Sequence, residues 1–253
     1  MITVKDVCDF IDSVAPFSCQ LSFDNSGFLV GDPDRAVSAV SVSLDITKDT
    51  IKLAKEFGAD LMVSHHPVIF GSKKTFTKGD AAYELAVSGM SAVCVHTPLD
   101  CADGGVNDVL ADIFSLSRVE PVSLDDSSAP MIRVGFLKKP LSPCELAAET
   151  SRLLDCKPRW CDGGRQIETV AVCGGSGGGF AADISNLGVD AFITGDAGYH
   201  DFLEAEQSGL TLVAAGHFET EFPVIPVLAA KLRERFPEAA VITLDQRKTI
   251  KYL

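Results

Sequence analysis

VSAVSVSLDITKDTIKLAKEFGADLMVSHHP, residues 37–67, is the stretch that decides the fold class. Its β-branched residues from 37 to 42 form an extended run, and residues 47–57 carry apolar side chains at helical spacing. Gly58 ends that helix, and residues 61–63 form a second strand. Continuous apolar strands separated by a helix predict a parallel sheet that helices cover on both faces.

The same alternation extends through the rest of the chain. The other predicted elements are a helix capped by Thr3 and Asp6, a helix at 80–88, strands at 92–95, 131–137, 169–173, 191–193 and 210–214, and a helix from Pro143 to about Leu154 capped by Ser142. We therefore predict an α/β fold with two similar βαβ-containing lobes, at about residues 1–120 and 130–253, whose sheets are mostly parallel. The loop from Ser117 to Pro130 is the expected boundary between the lobes.

A short match indicates an internal duplication. The residues GADL at 58–61 and GVDA at 188–191 each end a helix and begin a strand. The valines of the preceding strands match at the same offset of 130 positions. Either an ancestral unit was duplicated, or two βαβ units simply resemble each other at this depth, and the sequence leaves both readings open.

Composition and charge limit the classes of function. Hydrophobic residues make up 46% of the chain and charged residues 23%, as in an ordinary globular protein. The net charge of −13 argues against stable nucleic-acid binding, which needs a basic surface. No apolar run approaches the roughly 20 residues that span a bilayer, and the charges within residues 1–14 argue against a signal peptide. The eight cysteines include no CxxC pair. From these observations together we expect a cytoplasmic protein without a membrane partner.

Candidate metal ligands stand where the predicted strands end. His65 and His66 directly follow one strand, Asp100 lies beyond the next, and His217 and Glu221 follow the strand at 210–214. A helical turn after that last strand would place His217 and Glu221 on one face. Open α/β sheets gather their ligands at the C-terminal ends of the strands. We therefore expect these five side chains to converge at that edge, between the lobes.

Five ligands favour two metal ions over one. A zinc site typically takes three or four protein ligands, and a carboxylate can bridge two neighbouring cations. Nitrogen and oxygen ligands without a thiolate suit zinc, iron or manganese. Two divalent ions outweigh the two carboxylates, so the pocket would be electropositive. Such a pocket can hold a phosphate group and can lower the pKa of a bound water towards neutrality.

Several motifs resemble those of the Nif-three-like family, which is also described as GTP cyclohydrolase I type 2 or dinuclear metal-binding protein. They are SFDNSGFLVGD at 22–32, SHHP at 64–67, HTPLD at 96–100, GGVND at 104–108, TGDAGYH at 194–200 and GHFETE at 216–221. The resemblance implies two metal ions bound by the residues that match His65, His66, Asp100, His217 and Glu221, and assembly as a toroidal homohexamer. It also implies one domain over residues 1–253, without the extra domain that some members carry between the halves.

Two further histidines and a glycine-rich loop are candidate functional groups. His96 is a candidate catalytic residue, and the favoured alternative is that it supports the metal ligands or is simply buried. His200 is a candidate for moving a proton near the metals. Residues 174–179, GGSGGG, could cradle a phosphate through backbone N–H groups or form a tight, closely packed turn.

These features lead to three hypotheses about function. The first is a dinuclear metal-dependent hydrolase that uses a metal-activated water on a nucleotide-like small molecule. If the family name applies, the substrate is GTP, attacked at C8 of the guanine ring. The second is a metal-dependent phosphoesterase built on the same site. The third is a non-enzymatic metal-binding scaffold or chaperone, with a ring assembly as its working surface.

Overall fold

The opening stretch folds as a strand, a helix and a parallel strand in a computed structural model, which describes residues 1–124, 129–246 and 249–251. Up to residue 103 the elements are α1 (Val4–Val14), β1 (Gly27–Val30), β2 (Ala39–Ser43), α2 (Lys48–Phe57), β3 (Leu61–Ser64), α3 (Ala81–Ser88), β4 (Ser91–Cys94) and α4 (Thr97–Cys101). From residue 104 to 223 they are α5 (Val106–Ile113), β5 (Ser117–Val122), β6 (Ile132–Leu141), α6 (Pro143–Leu154), β7 (Arg159–Trp160), β8 (Ile167–Cys173), α7 (Ala181–Asn186), β9 (Ala191–Thr194), α8 (Tyr199–Gln207), β10 (Thr211–Ala214) and α9 (His217–Glu221). They are followed by α10 (Val224–Arg235) and β11 (Ala240–Thr243). Within the described ranges, no helix is long and apolar enough to cross a membrane.

The chain divides into two compact units. The first comprises Met1–Asp103 and Val224–Thr249, and the second comprises Gly104–Pro223 with the described residues 250–251. Strand β11 belongs to the first unit because it pairs in parallel with β2. Strand β5 belongs to the second unit because it pairs with β6. The units therefore differ from the lobes expected at about residues 1–120 and 130–253.

The sheet of the first unit is mostly parallel, as predicted. Its strand order is β1-β4-β3-β2-β11, and only the edge strand β1 runs antiparallel to its neighbour. Met62 of β3 and Ala92 of β4 pack against Ile51 of α2 and Leu85 of α3. Helix α10 contacts β2 and β11. The strands are buried because helices cover them, which explains their continuous apolar sequences.

The sheet of the second unit is mixed. Its order is β5-β6-β8-β9-β10-β7, in which β8, β9 and β10 are parallel and the other pairings are antiparallel. Val170 and Val172 of β8 pack in a core with residues of α5 and α6. Ala171 and Cys173 point to the other face and pack with residues of α7 and α8. The predicted α/β fold with helices covering two sheets is therefore confirmed, and this second sheet is covered on both faces.

Two predictions about the second half need correction. Residues 117–122 form strand β5 rather than a loop, and residues 125–128 of the predicted boundary loop lie outside the described residues. The strand predicted at 131–137 extends to Leu141 and pairs antiparallel with β8, so it does not begin a parallel βαβ unit. Both β5 and β6 find their partners through antiparallel hydrogen bonding, which the local apolar pattern does not specify.

The predicted helix caps are present. Thr3 Oγ1 accepts a hydrogen bond from the Asp6 N–H at 3.2 Å, and Asp6 accepts one from the Thr3 N–H at 2.8 Å. Ser142 and Glu145 exchange the same pair of bonds at the start of α6, where Pro143 occupies the first turn. These reciprocal bonds satisfy N–H groups that the first turn of a helix leaves without partners.

An aspartate just before β3 joins the starts of two strands in the sheet of the first unit. Asp60, just before β3, accepts hydrogen bonds from the backbone N–H groups of Ser38 and Ala39 at 2.8 and 3.2 Å. The Arg35 guanidinium lies 3.3 Å from the other carboxylate oxygen. This carboxylate therefore links the beginnings of β2 and β3.

The second unit contains the same arrangement 130 positions later. Asp190, just before β9, accepts hydrogen bonds from the backbone N–H groups of Glu168 and Thr169 at 3.0 and 2.9 Å, and Arg165 lies 3.2 Å from its carboxylate. The strand registers also match at this offset, since β2 pairs with β3 as β8 pairs with β9. The equivalence of a whole hydrogen-bond network, and not just of a strand pattern, favours the reading that one βαβ unit was duplicated.

Candidate metal centre

The predicted ligands of the first unit lie where its parallel strands end. Strand β3 ends at Ser64, and His65 and His66 follow immediately. Strand β4 ends at Cys94, and His96 occupies the residue before α4. Asp100 lies in that short helix and is buried. The fold therefore brings the first three predicted ligands to one edge of one sheet, as the sequence predicted, and places His96 with them.

His65 is held so that its Nε2 atom faces the edge of the sheet. The ring is fully buried, and its Nδ1 atom lies 3.0 Å from the carbonyl oxygen of Val95. Because a carbonyl oxygen only accepts, Nδ1 carries the proton and Nε2 carries the lone pair. Nε2 lies 3.6 Å from Oδ1 of Asp100. This is the arrangement of two ligands that approach the same cation.

His66 is oriented by a carboxylate. Its Nδ1 atom lies 2.7 Å from Oδ1 of Asp45, in the segment that follows β2. The loop that carries Asp45 is itself held by Gln246, whose Oε1 atom accepts hydrogen bonds from the backbone N–H groups of Leu44 and Asp45. The Nε2 atom of His66 is thereby left to act as a ligand atom. A carboxylate on the far side of an imidazole is the usual support of a metal-binding histidine.

His96 has the same kind of support from Asp24. Its Nδ1 atom lies 2.8 Å from Oδ1 of Asp24, and the other carboxylate oxygen accepts hydrogen bonds from the N–H and the hydroxyl of Thr97 at 3.0 and 2.5 Å. Burial would raise the pKa of the Asp24 carboxyl, but the bonds from His96, Thr97 and Asn25 outweigh it and hold the pKa well below its usual range. Asp24 therefore orients His96 as Asp45 orients His66, and the catalytic role of His96 stays a prediction.

The three imidazoles of the first unit fit a divalent metal ion. One ligand atom from each of His65, His66 and His96 can be chosen so that all lie within 4.8 Å of one another. The ring centroids are 5.0 to 5.5 Å apart. Since each Nδ1 atom is engaged by an oxygen acceptor, Nε2 is the ring atom through which each histidine could bind a metal. Clustered neutral imidazoles beside a buried carboxylate suit zinc, iron or manganese.

The second unit supplies the other two predicted ligands on one helical turn. His217 and Glu221 are the first and last residues of α9, and their Nε2 and Oε2 atoms are 3.1 Å apart. The Nδ1 atom of His217 lies 2.7 Å from Oδ2 of Asp196, which follows β9. Asp196 therefore orients the His217 ring, as Asp45 orients the His66 ring. The predicted one-face placement of His217 and Glu221 is present in the structure.

Glycines shape the pocket around Glu221. Gly175 has a φ of +63°, and a Cβ atom there would overlap the Glu221 carboxylate. A Cβ on Gly195 would lie 2.6 Å from the Gly175 carbonyl oxygen and 2.7 Å from Thr220 Oγ1. The Thr220 hydroxyl also accepts a hydrogen bond from the Gly175 N–H at 3.1 Å. Gly175, after β8, and Gly195, after β9, therefore have no room for a side chain because the turn that carries Glu221 packs closely on them.

The same contacts decide between the two readings of residues 174–179. The N–H of Gly174 donates to Asn107 Oδ1 at 2.7 Å, and that of Gly177 donates to Thr194 Oγ1 at 3.0 Å. The Gly178 N–H donates to the Asp196 carbonyl oxygen at 3.0 Å. A phosphate cradle needs these donors for its ligand. The loop is a closely packed turn that supports Glu221.

His200 occupies a different kind of position. It lies in the first turn of α8 and is exposed, and its ring centroid is 5.4 Å from that of Tyr199. Its assignment as a proton carrier stays a prediction.

The sequence did not identify the residues that orient the histidines. Asp24, Asp45, Asp196 and Gln246 all act through a side-chain contact with a residue remote in the chain, between 21 and 201 positions away. A partial signal was present, since Asp24 lies in the SFDNSG motif and Asp196 in TGDAGYH. Their role as hydrogen-bond acceptors became visible only once the fold placed them beside Nδ1 atoms.

The fold and these side chains define an α/β protein with histidine and carboxylate groups at the strand ends that could hold a metal ion. A model of the Duf34/NIF3 (NGG1p interacting factor 3) family matches residues 2–249, and the chain belongs to this family. A Clostridium perfringens relative named GTP cyclohydrolase 1 type 2 homolog is 33% identical over 240 residues, covering 92% of each chain. A Streptomyces coelicolor relative of the same name is 34% identical, covering 92% of this chain and 87% of its own. The crystal structure of Staphylococcus aureus protein SA1388 has the same fold, with a TM-score of 0.91 at 22% identity over 100% of this chain and 99% of that one.

Proposed function

We propose that the protein is a metal-dependent hydrolase that binds two divalent ions through His65, His66, Asp100, His217 and Glu221. One observation carries the proposal. The Nδ1 atom of each histidine in this set lies within hydrogen-bond distance of a backbone or carboxylate oxygen, so each Nε2 atom is pre-set as a ligand. If these three histidines served only in packing, there would be no reason for all of them to have the same tautomer.

The number of proposed ligands supports two ions rather than one. His217 and Glu221 are two ligands, which is fewer than the three or four that a zinc site takes from a protein. Conversely, the five proposed ligands exceed one tetrahedral shell. We therefore propose that all five residues serve as ligands of two ions.

The roles of the chain's own residues follow from their contacts. Bound divalent ions would polarise a substrate and lower the pKa of a water molecule. Asp45 and Asp196 hold the rings of His66 and His217 in one tautomer and one orientation. The Val95 carbonyl does the same for His65. In this proposal His200 carries a proton to or from solvent, consistent with its exposure.

The relatives named GTP cyclohydrolase 1 type 2 homolog support a nucleotide-like substrate. The test is to incubate the protein, loaded with zinc, iron or manganese, with GTP and to measure formate. We expect formate release that His65→Ala abolishes and His200→Ala slows. If no metal-loaded form releases formate from GTP, this substrate is wrong. Hydrolysis of phosphate mono- or diesters in the same preparation would then favour a phosphoesterase, and tight metal binding with no turnover would favour a scaffold.

The assembly and location of the protein are part of the proposal. We propose a toroidal homohexamer in the cytoplasm, in line with the sequence predictions. Light scattering coupled to gel filtration would give a mass of six times 26.9 kDa for the hexamer. A monomer or dimer at micromolar concentration would contradict it.

A further inference from the structure

Two phenylalanine side chains lie exposed beside the three histidines of the first unit. Phe23 is 57% exposed and Phe70 is 54% exposed. Their ring centroids are 6.3 Å apart, and the Phe70 ring is 6.1 Å from the His96 ring. His96 in turn lies 5.2 Å from His65, ring centre to ring centre. The aromatic pair therefore continues the row of imidazoles outwards to the surface.

The loops that carry the two phenylalanines are fixed to each other and to the site. The Asn25 side chain donates a hydrogen bond to the Ile69 carbonyl oxygen at 2.8 Å, which joins the loop after Phe23 to the residue before Phe70. Asp24, between Phe23 and Asn25, is the acceptor that orients His96. The positions of both rings are thus tied to the same contacts that set the histidine. Such fixed placement is what a pre-formed binding surface needs.

Both rings are exposed enough to contact a ligand. A phenylalanine side chain gains roughly 1.5–3 kcal/mol when it is fully buried, and here two neighbouring rings forgo much of that gain. Phe70 meets both Phe23 and His96 at steep angles, 73° and 81° between ring planes. An edge-to-face pair covers at most one face of one of its rings, and both phenylalanines are more than half exposed, so a flat ring could stack on them.

We propose that Phe23 and Phe70 form a stacking platform for the planar heteroaromatic ring of a ligand. Ring stacking on aromatic side chains is tolerant of the ring's identity, because every nucleobase has a π-face. A ring seated on Phe70 lies next to His96 and so at the entrance to the histidine cluster. The proposal rests on the proposed function only in assigning that ring to the substrate, since ring binding itself can be measured without turnover.

The test compares ligands that differ only in the ring. Metal-loaded protein is titrated calorimetrically with GMP, AMP and UMP, and with ribose 5-phosphate as the ring-free counterpart. We expect at least one nucleotide to bind roughly tenfold more tightly than ribose 5-phosphate. Phe70→Ala and Phe23→Ala should each remove most of that preference. Phe70→Leu should also lose it, because leucine keeps apolar bulk without a flat ring, whereas Phe70→Trp should keep it.

The control variant is Phe57→Ala, at the end of α2 that lies away from the C-terminal ends of the strands, where the ring is 36% exposed. It should leave the preference for the nucleotide unchanged. The proposal is overturned if no nucleotide binds better than ribose 5-phosphate, or if the preference survives in both alanine variants. It is also overturned if those variants change only the oligomeric mass, since the rings would then face a second copy of the chain. If the metal-loaded parent protein releases no formate from GTP but still prefers a nucleotide to ribose 5-phosphate, only the proposed function is contradicted.

Discussion

Gln246 and Asp45 are hydrogen-bonded although 201 positions separate them in the chain. Gln246 Oε1 accepts from the Asp45 N–H at 3.1 Å, and its Nε2 atom lies 3.4 Å from Asp45 Oδ2. Asp45 in turn orients His66. A residue near the C-terminal end of the described chain therefore sets the position of a proposed metal ligand near residue 65.

The first prediction concerns this contact. Gln246→Leu removes the acceptor for two backbone N–H groups and lets the Asp45 loop move, so His66 loses its fixed orientation. We expect metal affinity to fall by about 10- to 100-fold, the range seen when outer partners of a ligand are removed. Competition with a chelating dye measures the affinity. Gln207→Leu, at an exposed position of α8, is the control and should bind metal like the parent protein.

The second prediction concerns the glycine beside Glu221. Gly175→Ala places a Cβ atom on the Glu221 carboxylate and forces a residue with a side chain into a left-handed conformation. We expect a destabilisation of about 1 kcal/mol or more from the backbone alone, together with weaker metal binding because Glu221 must move. Gly179→Ala has open space around its Cβ and is the matched control. Unchanged metal affinity in Gly175→Ala would argue that Glu221 is not a ligand.

The third prediction concerns a buried amide that supports the same loop. Asn107 is fully buried, and its side chain donates to the Met131 carbonyl oxygen and accepts from the Gly174 N–H. Asn107→Ala leaves both backbone groups without this partner. We expect the free energy of unfolding to fall by about 2 kcal/mol or more. Urea denaturation measures it, with Asn186→Ala, at an exposed position of α7, as the control; equal losses in the two variants would contradict the assigned role.

The fourth prediction is a pH dependence. Burial raises the pKa of Asp190, but the hydrogen bonds from Thr169 and Glu168 and the charge of Arg165 outweigh it, so the pKa is lowered on balance. A lowered pKa in the folded state stabilises the fold above the unfolded value of about 3.9, and that stabilisation disappears as the pH falls through the folded pKa. Asp190→Asn should therefore cost about 1–3 kcal/mol at neutral pH.

The cost of Asp190→Asn should shrink as the pH falls below about 4, because the unfolded parent chain is then protonated at Asp190, and it should vanish at a still lower pH where the folded carboxylate is also neutral. Denaturation curves between pH 7 and pH 3 provide the comparison. Asp183→Asn, at an exposed position of α7, is the control and should cost little at neutral pH. A cost for Asp190→Asn that stays the same down to pH 3 would mean that the charge of Asp190 does not stabilise the network.

The sequence predicted the parts of the fold that local patterns encode. The strand–helix–strand around Gly58 is visible because apolar periodicity and a helix-ending glycine are local properties. The predicted ligands were recognisable for a related reason, since His65 and His66 directly follow a strand, and strand ends in parallel sheets share one edge.

The remaining features depend on pairing between distant segments. Strand β11 completes the first sheet beside β2, but nothing in its four-residue sequence indicates that β2 is its partner. Asp24 lies 72 positions from His96, so its role as an acceptor depends on where two loops meet. Local periodicity specifies which face of an element is apolar, but it does not specify the neighbour that covers the face.

The position of β11 has a consequence for how the protein is made. During synthesis the first 223 residues emerge from the ribosome before any part of α10 or β11, so β2 is an open edge of its sheet for that time. The Asp45 loop likewise waits for Gln246, one of the last described residues to be translated. A nascent chain would therefore acquire the complete support of its histidine cluster only once Gln246 has emerged, which would limit premature capture of metal by a half-folded polypeptide.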